Sequence, residues 1–285
     1  MLERAFGKVN LALDIVGRRG DGYHELKMLL QGIDFCDEVE ILPARELQVT
    51  TDRPDVPDGP GNLAFKAVLL MSERSGRKPN VQVRITKRIF AAAGLAGGSA
   101  DAAAVLRGLN RLWSLFWPAE KLEKLAAELG SDVPFCIRGG TVLATGRGEI
   151  LEPLPDLDEH WLVLAKPRIE VSTAWAYRNY SAATVTERPK LAPLLAAVQA
   201  NDRQALYAGM GNVLESVTCR TYKEIAAIKE EMVRAGAARS LMSGSGPTVF
   251  GLVDSQEKGE AVLAAVTNKF DVETVLTKTL RRNES

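Results

Sequence analysis

Cysteine is scarce in this chain. Cys36, Cys136 and Cys219 are odd in number and far apart, so they show neither a disulfide framework nor a zinc-ligand spacing. That usage suits a reducing cytosol. A surplus of either charge is also missing, since 36 Lys and Arg balance 36 Asp and Glu. Without a basic excess, nucleic acid and anionic membrane surfaces are not expected partners. No uninterrupted apolar run reaches the length of a membrane span. The N-terminal residues enter a strand-like pattern by Ala5 and lack the apolar core of a signal peptide. The sequence holds no internal repeat and no low-complexity tract. These absences predict a cytoplasmic protein, a monomer or weak homodimer, whose partners are small molecules.

What the chain does have is a stretch rich in glycine and alanine. Residues 91–106 read Ala-Ala-Ala-Gly-Leu-Ala-Gly-Gly-Ser-Ala-Asp-Ala-Ala-Ala-Val-Leu. Gly94, Gly97 and Gly98 let a backbone bend tightly and approach a ligand. The helix that follows aims unpaired N–H groups and a positive dipole end at the loop, which together favour an anion such as phosphate. The loop is not a Walker motif, because no Gly-Lys-Ser/Thr follows it. Its glycine spacing is not that of the dinucleotide fingerprint. Taken alone, it is either a phosphate cradle or a tight turn that packs a helix on a sheet.

At 285 residues, 46% of them hydrophobic, the chain is long enough for two domains with sizeable cores. Ala5–Gly17 alternates, with Val9, Leu11, Leu13 and Ile15 on one face of a strand and Phe6, Lys8, Asn10 and Asp14 on the other. Further strands are predicted over Leu26–Phe35, Glu38–Leu42, Leu47–Thr51, Val81–Lys87 and Thr141–Thr145. Asn62 caps a predicted helix that runs to about Arg74. Ala100–Trp113 and Ala119–Leu129 are predicted helices, the second stopped by Gly130. Composition turns to proline and acidic residues around Leu151–Glu159, which places a domain boundary between 155 and 156. The second half then reads strand, helices, strand, strand, helix, strand, the split β-α-β pattern of a ferredoxin-like domain.

Four other motifs each allow two readings. Lys8 and Asn10 share a strand face that is either a solvated edge or a site. Asp21-Gly22-Tyr23-His24 is either plain turn chemistry or a platform on which Tyr23 stacks under a flat heterocycle and His24 reads its edge. Ser131-Asp132-Val133-Pro134 is either only a helix cap before proline or part of a site. Ser243-Gly244-Ser245-Gly246 is either a hairpin turn or a second loop closing on phosphates with its amides.

Together and in this order, the motifs resemble those of the GHMP kinase superfamily, which includes galactokinase and the homoserine, mevalonate and phosphomevalonate kinases. The resemblance spans essentially the whole chain and rests on Gly7-Lys8-Val9-Asn10-Leu11, Asp21 to Glu25, the central glycine loop and Ser131 to Phe135. Thr145 to Glu149, Lys166-Pro167 with Val171-Ser172-Thr173, and Ser243 to Thr248 add to it. It implies an α+β fold of two domains, residues 1–155 resembling ribosomal protein S5 and residues 156–285 ferredoxin-like. The Gly-Tyr-His motif narrows the implied activity to ATP-dependent, Mg²⁺-assisted phosphorylation of the 2-hydroxyl of CDP-methylerythritol.

By motif match the resemblance makes Asp132 the catalytic carboxylate and Lys8 its charged partner. It gives the cytosine to Tyr23, His24 and Tyr177, the rest of the substrate to Asn10 and Thr173, and adenine to Asn62. ATP phosphates fall to Phe90, Ala91, Ala92, Ala93, Gly94, Leu95, Ala96, Gly97, Gly98, Ser99 and Ala100, with Gly244, Ser245 and Gly246 closing from the second loop. No motif assigns the Mg²⁺ ligands. Phe90 stands where the superfamily loop begins with proline, and Ala100 where it has a second serine. Two rival expectations remain at this point: a sister GHMP kinase for another small alcohol, and a nucleotide-binding relative without catalysis.

Overall fold

The alternation that begins near Ala5 belongs to a 17-residue strand, β1 (Leu2–Arg18), in a computed structural model that describes residues 1–282. Its partner β2 (His24–Pro43) is a single 20-residue strand rather than two. The sequence reads as broken there because the pairing jumps: Phe6 faces Cys36, but Lys8 faces Gly32. The residues between are absorbed by a bulge, which bends a strand without ending it.

The other partners of this sheet are β3 (Gln48–Thr51), β4 (Val81–Thr86), β5 (Thr141–Gly146), β6 (Ile150–Pro153) and β8 (Gly211–Asn212). The path β3-β4-β2-β1-β8 forms its main run, and β5 pairs with the other half of β2. Helix α1 (Leu63–Ser75) packs on α2 (Gly97–Leu112), and α2 lies on β1 and β2. Ala102, Ala103, Leu106 and Leu109 of α2 are buried there, as are Leu29, Leu30 and Ile41 of β2. Each large apolar side chain so buried contributes roughly 1.5–3 kcal/mol. Small residues along α2 keep the helix close to the sheet, which carries its N-terminus over β1.

Two short helices follow, α3 (Ala119–Ala126) and α4 (Val133–Arg138). α3 ends short of Leu129, and Gly130 is not its cap. The chain leaves through tight turns, Glu128 N to Leu125 O and Leu129 N to Ala126 O. The stretch read as a domain boundary opens as strand β6, paired with β5.

The second sheet contains β7 (Trp161–Pro167), β9 (Arg239–Met242), β10 (Val249–Val253) and β11 (Val272–Lys278). Its order is β11-β7-β10-β9 and every pair is antiparallel. Helices α9 (Lys223–Arg234) and α10 (Gln256–Lys269) cover one face, as the split β-α-β reading expects. Between β7 and β9 the chain forms α5 (Thr173–Asn179), α6 (Leu191–Ala200), α7 (Arg203–Gly209) and α8 (Glu215–Thr221). Strand β8 leaves this segment and joins the first sheet in parallel with Ala12 and Leu13 of β1. No helix among the described residues is long and apolar enough to cross a membrane.

Candidate active site

The loop between β4 and α2 is held open by backbone conformation. Gly94 lies in the left-handed region with φ 75°, and so do Ala92 and Ala96 with φ 48° and 62°. For an alanine that conformation costs roughly 1–2 kcal/mol, so the surrounding contacts must impose it. Ala96 is the N-cap of α2 and provides no side-chain cap. The first N–H groups of the helix, at Gly97, Gly98 and Ser99, are left to whatever anion occupies the loop.

The approach to the loop is rigid although Phe90 replaces a proline. The buried Asp37 carboxylate accepts from Arg88 N at 2.5 Å and Ile89 N at 2.7 Å, and also receives Lys87 Nζ. The Phe90 ring packs edge-on against Phe35, 5.3 Å between centroids.

The second glycine loop, between β9 and β10, closes on the first. Ser243 Oγ donates to Gly94 O at 3.0 Å. Asn212 of β8 donates to Met242 O and Gly244 O at 2.8 and 2.7 Å, fixing the second loop against the first sheet. Thr173 Oγ1 lies 2.9 Å from Ser245 Oγ, which ties α5 to the same loop.

Lys8 sits under this junction. Its ammonium donates to Asn10 Oδ1 at 2.8 Å and Gly94 O at 3.2 Å, and lies 3.7 Å from Asp132 Oδ2. Lys8 and Asn10 are buried, which excludes the solvated-edge reading. Asp132 is the N-cap of α4, with Val133-Pro134 opening the helix behind it. Its side chain keeps 35% of its exposure, so the carboxylate faces open space while Lys8 backs it.

Two clefts meet at that carboxylate. The first, of about 780 Å³, is lined by Lys8, Asn10, Tyr23, His24 and Tyr177, and by Gly244 and Ser245. The second, of about 640 Å³, is lined by Asn62, by Phe90, Ala91, Ala92 and Ala93, and by Ala96, Gly97, Gly98 and Gly246. Gly94, Ser99, Asp132 and Thr173 line both. The two clefts thus form one continuous groove with Asp132 at their junction.

At the far end of the first cleft the aromatic groups gather. The His24 ring lies 5.5 Å from Tyr177, tilted by 33°, and 6.0 Å edge-on from Tyr180. Burial lowers the His24 pKa, and the nearby Arg18 adds to that, which favours the neutral ring with one donor and one acceptor nitrogen. Burial also pushes the Tyr177 hydroxyl up. Tyr23 is 57% exposed at the mouth, with the Arg147 guanidinium 5.2 Å from its ring centre.

A buried ionic cluster borders the second cleft. Lys87 Nζ donates to Asp37 and Asp101, the latter at 2.7 Å. Burial pushes the Asp101 pKa up against the pull of Lys87, and Asp37 adds to the rise. Burial works against the Lys87 ammonium, but the two carboxylates outweigh it and raise its pKa.

Of the candidate residues named from the sequence, all but Leu95 and Ala100 line one or both clefts. Leu95 and Ala100 are both buried at 1% exposure and line neither cleft. The Ala100 N–H is taken by Ala96 O at 2.8 Å, inside the helix. Asn62 reaches the second cleft with its polar atoms already used, Oδ1 by Ala64 N and Nδ2 by Pro57 O, each at 2.9 Å. Sequence reasoning missed Lys87, Asp101, Arg147 and Tyr180. Tyr180 had a legible signal, since it stands one helical turn after Tyr177.

The chain belongs to the GHMP kinases. The family described as GHMP kinases N terminal domain matches residues 62–140, and GHMP kinases C terminal matches residues 194–272. Within that family it is 49% identical over 264 residues to the 4-diphosphocytidyl-2-C-methyl-D-erythritol kinase of Bacillus pumilus (strain SAFR-032), covering 92% of this chain and 91% of that one. A crystal structure of 4-(cytidine 5'-diphospho)-2C-methyl-D-erythritol kinase superposes with a TM-score of 0.83 at 31% identity, covering 98% of this chain and 100% of that one. A homoserine kinase from Cytophaga hutchinsonii shares the fold, with a TM-score of 0.79 at 19% identity over 99% and 96% of the chains.

Proposed function

We propose that this chain transfers the terminal phosphate of ATP to the 2-hydroxyl of 4-diphosphocytidyl-2-C-methyl-D-erythritol. The products are the 2-phosphate and ADP, in the non-mevalonate route to isoprenoid precursors. The observation that carries the reading is Asp132, backed by Lys8 and shared by the two clefts. A substrate hydroxyl in the first cleft and a phosphate chain in the second would meet there.

Phosphoryl transfer passes through a loose transition state, so catalysis is mainly positioning and charge stabilisation. Asp132 orients the hydroxyl and accepts its proton late. The Lys8 ammonium, 3.7 Å from that carboxylate, stabilises charge on the attacking oxygen and the transferring group. The free N–H groups at Gly97, Gly98 and Ser99 hold phosphate oxygens. The cytosine lies among His24, Tyr177 and Tyr23, with Asn10 and Thr173 nearer the reacting end.

Mg²⁺ fits the donors at the junction, a hydroxyl on Ser99 and a carboxylate on Asp132, both hard oxygen ligands. These residues would hold it, and it would neutralise the triphosphate. Residues 1–155 and 156–285 are the two domains of this reading, and the three free cysteines suit a cytoplasmic enzyme, monomeric or weakly dimeric.

A coupled kinase assay comparing CDP-methylerythritol with galactose, homoserine and mevalonate tests the proposal. ADP release only with the cytidine substrate is expected. Preference for another alcohol, or no turnover with any of them, would overturn it.

A further inference from the structure

Arg147 takes no part in the chemistry described above, yet it lies in the substrate cleft. It sits at the turn between β5 and β6, flanked by Gly146 and Gly148, both at positive φ. The turn is fixed from several sides. Gly146 N donates to Glu25 Oε1 at 3.1 Å, and Arg147 N donates to Glu149 Oε2 at 2.6 Å. A Cβ built on Gly148 would meet Met28 Cε at 2.7 Å, and Ser131 Cβ lies 3.8 Å from it.

These contacts locate Arg147 along the cleft. On one side its turn lies close to Ser131, the neighbour of Asp132, and to Met28, to whose sulfur Asn10 Nδ2 points at 3.4 Å. On the other side its guanidinium lies 5.2 Å from the ring centre of Tyr23. Arg147 therefore stands between the reacting end and the aromatic end. Of its guanidinium nitrogens only Nε has a hydrogen-bonding partner, 3.5 Å away at Glu149 Oε1. Among the described residues nothing claims its terminal nitrogens. The charge of the cleft points the same way. Its charged lining is Lys8, Arg18, Arg147 and Arg178 against Asp132 alone, in a chain whose net charge is zero. A planar guanidinium with free terminal N–H groups suits phosphate oxygens.

We propose that Arg147 binds the diphosphate of the substrate and makes the cleft select a nucleoside diphosphate ester over the bare nucleoside. The inference rests on the reading that the cleft takes a cytidine diphosphate-linked alcohol. In that substrate the diphosphate joins the base-bearing end to the reacting alcohol, and Arg147 lies between the two places that receive them. Arg147 is a specificity residue and does not touch the transferring phosphate.

The test is a ladder of cytidine, CMP and CDP binding, measured by calorimetry with the nucleotide cleft saturated by ADP. Wild-type protein should bind CDP more tightly than cytidine. Arg147→Ala should remove most of that advantage, about tenfold or more, and leave cytidine affinity nearly unchanged. Arg147→Lys should restore part of it. In turnover, Arg147→Ala should raise KM for the cytidine substrate by a similar factor, with kcat and the KM for ATP nearly unchanged. Equal weakening of cytidine and CDP would overturn the inference, because Arg147 would then serve only the base through Tyr23. An unchanged ladder would overturn it as well. Should Arg147→Ala fail to fold, Arg147→Gln gives the same reading. Absence of wild-type turnover with the cytidine substrate would instead defeat the proposed function, so the two failures are told apart.

Discussion

Gly94 and Ser243 press backbone against backbone across the two glycine loops. A Cβ built on Gly94 would lie 2.2 Å from Ser243 O, while Ser243 Oγ donates to Gly94 O at 3.0 Å. Neither loop has its shape without the other. Gly94→Ala adds a side chain at φ 75° and drives the loops apart. The expected result is a loss of about 1–3 kcal/mol or more in stability and a raised KM for ATP. Denaturant unfolding and steady-state kinetics check it. Wild-type stability together with wild-type KM would refute the interlock.

Asp132→Ala should reduce kcat by roughly 10²–10⁴-fold, the usual contribution of a positioned proton acceptor. ADP affinity, measured by calorimetry without Mg²⁺, should change little, because the phosphate-binding N–H groups belong to α2. Near-normal turnover would remove Asp132 from the chemistry.

The aromatic end of the first cleft should report on the cytidine substrate alone. Tyr23→Ala and Tyr177→Leu should each raise its KM by about 5-fold to 100-fold, the equivalent of about 1–3 kcal/mol of base stacking. KM for ATP should stay within about twofold for either variant, since both tyrosines line only the first cleft. Equal losses for the two substrates would count against the platform.

His160 supplies a pH-dependent element of stability away from the site. Its ring Nδ1 lies 2.9 Å from the Tyr207 hydroxyl, and burial lowers its pKa to about 4, with Arg203 adding to the effect. The unfolded imidazole takes up a proton near its ordinary value of 6.5. Stability is therefore complete above pH 6.5 and falls as pH drops toward 4, by on the order of 2 kcal/mol. Urea unfolding across that range should show this slope, and His160→Gln should flatten it. An identical slope in the variant would assign the effect to other groups.

Much of the site was legible because it is carried by short contiguous motifs. Lys8 and Asn10 share a strand face, and two residues of separation suffice to say so. The ferredoxin-like half was legible because its strands and helices alternate with clear periods. What escaped was long-range. Nothing near Lys87 announces that Asp37, fifty residues earlier, and Asp101 will surround it. The left-handed alanines at 92 and 96 escaped because local propensity opposes them, and tertiary contacts override it. The inward turn of Ala100 follows from the phase of α2, whose start was predicted three residues too late.

Strand β8 is two residues long, yet its place in the chain sets an order on assembly. Gly211 and Asn212 complete the edge of a sheet whose other strands all lie before residue 154. On the ribosome, the first half must wait with its β1 edge unpaired while nearly sixty more residues are made. When Asn212 arrives it can join that edge, and its side chain then waits for the loop at Gly244, thirty-two residues further on. Completion of the first sheet therefore comes before assembly of the site, and even a chain stalled after residue 212 but before residue 243 carries the catalytic pair without the second wall of its phosphate cradle.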